Sequence, residues 1–166
     1  MDLKLGDTQL LIAESKAQGL LRNQLAYLLA TAFWETGRTM KPVEEAYWLR
    51  NAAVWRKKNL RYWPWHGRGY CQLTWEKNYI RAAQKLGIPF DKDPTLALKA
   101  EPASKVIVTG MREGWFTGRD LDDFITLKHS DFKGARAIIN GRDKDDEIAA
   151  IAVQYDKMLK TAGYGG

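Results

Sequence analysis

Residues Leu20 to Phe33 carry the strongest pattern in the chain. Leu21, Leu25, Leu28, Leu29 and Ala32 recur at three- and four-residue intervals, and the positions between them are also largely apolar. That spacing predicts a helix. A helix apolar on nearly every side belongs inside a protein, so the rest of the chain must wrap around it. Glu35 follows near its predicted C-terminus, and Gly37 supplies a residue that can stop it.

Around this helix the chain reads as further helices. Residues 7–18 predict a short one, with Asp7 or Thr8 as N-cap and Gly19 past its end. Periodicity then fades between Gly37 and Thr74, where Pro42, Pro64, Gly67 and Gly69 mark irregular backbone. Val43–Leu49 and Tyr70–Thr74 are candidate short strands there. Helical spacing returns over Trp75–Leu86 and ends at Gly87. Asp93-Pro94 reads as an N-cap followed by proline at the first helical position. Ala103, Val106, Ile107, Gly110 and Met111 form the next stripe, with short helices expected near Leu121–Ile125 and Phe132–Ile139. Over about Lys144 to Lys160, Ile148, Ile151, Ala152, Tyr155 and Leu159 face one way, with acids at the positive end and lysines at the negative end. Its mixed charge predicts packing on the core rather than an amphipathic segment disturbing outer membranes. The expected fold class is mainly α: one domain over residues 1–166, with a small β or irregular lobe after the second helix.

Composition excludes several functions. No apolar run reaches the ~20 residues that cross a bilayer. The N-terminus lacks a basic, then apolar, export signal, so synthesis in a cytoplasm is expected. The single Cys71 excludes an intramolecular disulfide, and with only His66 and His129 beside it neither a metal site nor a cofactor is expected. Net charge is +6. From Glu35 to Thr74 eight cations face three acids, whereas residues 117–166 are close to neutral. Concentrated positive charge favours an anionic polymer as partner, and nucleic acid and peptidoglycan both qualify.

The same stretch holds the candidate chemistry. Glu35 follows Ala32, Phe33 and Trp34, an apolar context that favours the neutral carboxylic acid a proton donor needs. Glu44 and Glu45 lie nine and ten residues later, within reach of a two-carboxylate glycosidase geometry. On a strand they would point to opposite faces, so only one could enter a cleft, and spacing does not choose between them. Tyr47, Trp48, Trp55, Tyr62, Trp63, Trp65 and Tyr70 interleave with Arg56, Lys57, Lys58, Arg61 and Arg68. Such residues stack on bases or on sugar rings, and so many in one irregular stretch predict a lined groove, with Trp63, Tyr70 and Arg68 among its binding residues.

Three ordered motifs resemble one family. Trp34-Glu35-Thr36-Gly37-Arg38 resembles the His-Glu-Thr-Gly-Gly signature of family 19 glycoside hydrolases, the plant-type chitinases and related phage endolysins. The segment from Gly67-Arg68-Gly69-Tyr70 through Gln72-Leu73-Thr74 to Asn78-Tyr79 is similar to that family's Gly-Arg-Gly-Pro-x-Gln-Leu-Thr/Ser…Asn-Tyr. Ala137-Ile138-Ile139-Asn140-Gly141 is similar to its Ile-Ile-Asn-Gly motif, and Trp115-Phe116-Thr117-Gly118 resembles the endolysin branch. The resemblance spans about residues 25–160.

It implies a lysozyme-like, two-lobed helical domain with the cleft between its lobes. It implies Glu35 as general acid, Glu44 rather than Glu45 as the base acting on water, and Thr74 as a holder of that water, with inversion. Gln72, Asn78 and Asn140 are implied as hydrogen-bonding partners of sugars and amides. Trp34 and Arg38 replace the family's histidine and second glycine, and Tyr70-Cys71 replaces a Pro-Ile or Leu-Ile pair. Long chitinase loops and their disulfides are missing, which points to the short peptidoglycan-cleaving branch. The implied protein is a muramidase-like endolysin without a separate wall-binding module. Its implied partner is peptidoglycan glycan strands, with no nucleic acid, no stable membrane insertion and a monomeric state. It would act on the wall from a host bacterial cytoplasm after a helper permeabilises the membrane. A small chitinase and a non-catalytic wall-binding domain are the alternatives.

Overall fold

The structure, a computed structural model, describes residues 1–165. Among them are six α-helices: α1 Thr8–Ala17, α2 Arg22–Glu35, α3 Ala52–Asn59, α4 Glu76–Leu86, α5 Ala100–Glu113 and α6 Asp145–Thr161. Two antiparallel ribbons of two-residue strands complete the set. One pairs β1 (Val43–Glu44) with β2 (Arg68–Gly69), the other β3 (Ile125–Thr126) with β4 (His129–Ser130). The fold is mainly helical, as the periodicities predict. No helix among the described residues is long and apolar enough to cross a membrane.

Helix α2 is the central element, with every residue from Gln24 to Ala32 buried. It packs chiefly on α6, which presents Ile148, Ala152, Tyr155 and Leu159 to it as a helical stripe. Cutting Leu28 or Leu29 to alanine would cost roughly 2–5 kcal/mol, because neither has solvent to collapse into. The one buried polar side chain near its start is satisfied. Gln24 accepts from the Leu21 amide and donates to Asp122 and to the Ile125 carbonyl.

A second apolar cluster joins Leu73, Tyr79, Ala82, Phe90, Ala97, Val106 and Trp115. Helix α5 serves both clusters: Val106 faces this one, while Ala103, Ile107, Val108 and Met111 face the cluster around α2. That double duty explains its nearly continuous burial.

Several local expectations need correction. Helix α3 occupies a stretch with no helical pattern in the sequence, because its single buried side chain is Arg56 rather than an apolar stripe. The candidate strands Val43–Leu49 and Tyr70–Thr74 shrink to β1 alone, whose partner is Arg68–Gly69. Asp93 does cap a turn that starts with Pro94, accepting from the Thr95 amide at 3.1 Å. That turn is a separate 3-10 helix, Pro94–Leu98, ahead of α5.

Candidate active site

Glu35 is the last residue of α2, and the next three residues fix its position. The Arg38 amide bonds the Phe33 carbonyl and the Gly37 amide bonds the Trp34 carbonyl, closing the helix with Gly37 at φ +62°. A side chain at Gly37 would also lie 2.5 Å from the Tyr47 hydroxyl. Thr36 donates to the Ala32 carbonyl and accepts from the Met40 amide, tying the exit chain to the helix.

The setting of Glu35 is not the apolar one its neighbours predict. Its Oε1 lies 2.9 Å from Nη1 of Arg136, a buried guanidinium on the 3-10 turn Gly134–Ile138. The contact is an ion pair by distance, without the alignment of a hydrogen bond. Arg136 is anchored by donating Nε–H to the Asp143 carbonyl at 2.7 Å. The Glu35 side chain keeps 22% of its surface open. Sequence reading passed over Arg136, although one arginine among Ala135, Ala137, Ile138 and Ile139 needs a buried partner.

Glu44 and Glu45 occupy different surroundings. Oε2 of Glu44 contacts Nε2 of His66 at 2.7 Å and Nε of Arg68 at 3.5 Å, and its Oε1 contacts Nη1 of Arg56 at 3.1 Å. Burial alone would raise the Glu44 carboxyl. The His66 hydrogen bond and the Arg56 and Arg68 charges outweigh it and hold Glu44 below the usual carboxylate range. Burial pushes His66 down, and because the Glu44 carboxylate can only accept, Nε2–H of His66 donates to it. Glu45 is consumed internally. It accepts from the Tyr62 hydroxyl at 2.6 Å and from the Gly67 amide at 2.9 Å. Glu44 retains 28% of its side-chain surface in solvent.

Arg68, which holds Glu44, opens a short loop. Arg68 and Leu73 exchange backbone hydrogen bonds of 3.1 and 2.9 Å, closing residues 68–73 into a tight loop. Arg68 faces Glu44, and the Glu35 charge reaches the buried Cys71 thiol, helping desolvation to raise it. Cys71 packs in the α2 cluster and Leu73 in the second cluster, with Gln72 half-buried between them at φ +65°. Gln72 spans the loop and donates to the Val43 carbonyl at 3.0 Å. Its amide oxygen lies 2.5 Å from where a side chain at Gly67 would be, so a side chain there would displace the Gln72 amide.

Gln72, Thr74, Trp75 and Asn78 line a cavity of about 210 Å³ with Cys71 and Ile139. Thr74 donates its hydroxyl proton to the Gln72 carbonyl, leaving lone pairs for a further partner. Asn78 donates to the Thr74 carbonyl and accepts from Arg81, so half of its amide capacity is already used. Asn140 is exposed and follows Ile139 on the turn that carries Arg136. Ile139 of that turn lines the cavity, whereas Asn140 is not among the residues that do. A larger cavity of about 730 Å³ is lined by Asp131, Lys133, Ala137, Arg142 and Asp145.

Two predicted binding residues are corrected. Tyr70 is 1% exposed and turns inward, donating its hydroxyl to Asp7 at 2.8 Å, so it is core rather than a sugar platform. Arg68 is buried beneath Glu44 and donates to the Pro64 carbonyl and the Tyr79 hydroxyl; it holds the carboxylate instead of reaching a ligand. Trp63 is 40% exposed and free to stack, with the Lys57 ammonium 5.3 Å from its ring. Trp75, which sequence reading did not single out, is exposed, lines the cavity and packs against Tyr62 at 4.7 Å. No protein-family model and no curated protein sequence matches the chain.

Proposed function

We propose that this protein is a peptidoglycan-degrading glycoside hydrolase of the endolysin type, cleaving β-1,4 glycan bonds with inversion. One observation carries the reading: a cavity lined by the Thr74 hydroxyl, the Gln72 and Asn78 amides and the Trp75 indole sits on the loop whose Arg68 holds the partly exposed Glu44. Partly exposed acids and an exposed tryptophan on a polar cavity suit sugar chemistry. The internal bonding of Glu45 favours Glu44 as the second acid.

In this reading Glu35 gives its proton to the glycosidic oxygen. Arg136, 2.9 Å away, orients the carboxyl toward the sugar. Glu44, kept ionised by its cations, takes a proton from water as that water attacks the anomeric carbon. The cations weaken it as a base but guarantee its charge state. Thr74 accepts a hydrogen bond from the same water, and Gln72, Asn78 and Asn140 bond sugar hydroxyls and acetamido groups. The two apolar clusters on either side of Cys71 and Leu73 support a lysozyme-like, two-lobed arrangement. Action on the wall after a helper has permeabilised the membrane, as a monomer and without a cofactor, completes the proposal.

Mass spectrometry of soluble fragments from purified peptidoglycan tests it, with colloidal chitin in parallel. New reducing ends on peptidoglycan are expected. Cleavage of chitin alone would move the protein to the chitinases, and cleavage of neither would remove the glycosidase reading.

A further inference from the structure

Helix α3 has two unlike sides. Arg56 faces inward and reaches both Glu44 and the Glu45 carbonyl. Val54, two residues earlier and so about 200° around the helix, faces outward. Val54 is 69% exposed, Trp48 in the preceding turn is 71% exposed, and Tyr47 and Trp55 are open beside them. Scattered exposed apolar residues are ordinary, but four large ones within nine residues form a patch of the kind that marks an interaction site. From Ala46 to Arg61 the chain has five cations and no acid, and Arg50, Lys57, Lys58 and Arg61 are exposed. The nearest acids, Glu44 and Glu45, point inward onto Arg56, His66 and Tyr62.

We infer that Tyr47–Lys58 is a docking surface for an anionic phospholipid membrane. Indole rings combine an apolar face with an N–H and settle at the headgroup level. Val54 has neither a ring nor a polar atom, so it adds nothing to stacking on sugars or bases, yet it suits the headgroup–acyl boundary. Lysine stems lie along such a boundary while their ammonium groups stay at the phosphates. The rings of Tyr47 and Trp48 meet edge-on at 5.3 Å and 83°, which leaves no shared platform for successive bases. The all-cationic rim selects anionic headgroups. Contact is peripheral, because α3 is far too short to span.

Sedimentation of the full chain with vesicles of phosphatidylglycerol and, separately, of phosphatidylcholine tests this. Binding to the anionic vesicles only, weakened by salt, is expected. Lys57→Gln with Lys58→Gln should weaken it about fivefold per lysine. Trp48→Ser with Val54→Ser should abolish most of it at unchanged melting temperature, while purified sacculi are still cleaved at the wild-type rate. Equal binding to both lipids, or unchanged vesicle binding by both variants, would overturn the inference. So would tight binding of a single-stranded oligonucleotide that the same variants lose. Loss of sacculus cleavage in the Trp48/Val54 variant would assign the patch to the glycan groove instead.

Discussion

Nη1 of Arg136 sits 2.9 Å from Oε1 of Glu35, joining the last residue of α2 to a turn far along the chain. The guanidinium is buried and the carboxylate is partly open, so the two partners are not equivalent. Arg136→Met strands the Asp143 carbonyl and leaves Glu35 to water. A loss of roughly 1–3 kcal/mol is expected, the usual cost when a buried polar partner is removed. Activity should fall further than stability explains, because the acid loses its orientation. Arg136→Lys should recover part of the rate, and thermal melts paired with initial rates on sacculi would show it. Equal rates for the two variants would remove Arg136 from positioning Glu35.

Glu44 and Glu45 should separate cleanly in the same assay. Glu44→Gln removes the base and should reduce turnover roughly 10²–10⁴-fold, the range for one acid–base group. Glu45→Gln keeps one acceptor for Tyr62 or Gly67 and should cost about 1 kcal/mol of stability with most activity retained. The opposite order would make Glu45 the functional acid.

Stability should decline on acidification in two windows. His66 is held below its usual 6.5 in the fold, so the unfolded chain binds more protons there, and stability falls as pH drops below about 6.5. Glu44 is also held low. Its contribution is present above the unfolded value of 4.5 and is lost as pH falls through its lower folded value. Melting temperature against pH would trace both windows. His66→Gln should flatten the upper one, and an unchanged upper limb would contradict the assignment.

Tyr70→Phe distinguishes core from platform. The ring stays packed while the hydrogen bond to Asp7 is lost, so about 1 kcal/mol of stability should go with KM unchanged. A raised KM at unchanged stability would return Tyr70 to the binding surface.

These residues also mark where sequence reasoning succeeds and where it stops. The burial of α2, its arrest at Gly37 and the Asp93 cap follow from local rules, because periodicity and capping are local physics. Helix α3 was invisible because an arginine stem, not an apolar stripe, fills its buried side. The Arg136–Glu35 pair was invisible because no local rule names a partner so distant in sequence. Tyr70 was misplaced and Trp75 passed over for one reason: an aromatic side chain carries no mark of whether it faces a core or a cavity.

The central claim is that Glu35 is the proton donor, and Glu35→Gln tests it most directly. Glutamine keeps an oxygen facing Arg136, so the fold should survive, but it cannot supply the proton. Reducing ends released from purified sacculi should fall roughly 10²–10⁴-fold at a near wild-type melting temperature. Release within a few-fold of wild type would mean that the Glu35–Arg136 pair is purely structural and that the chemistry lies elsewhere.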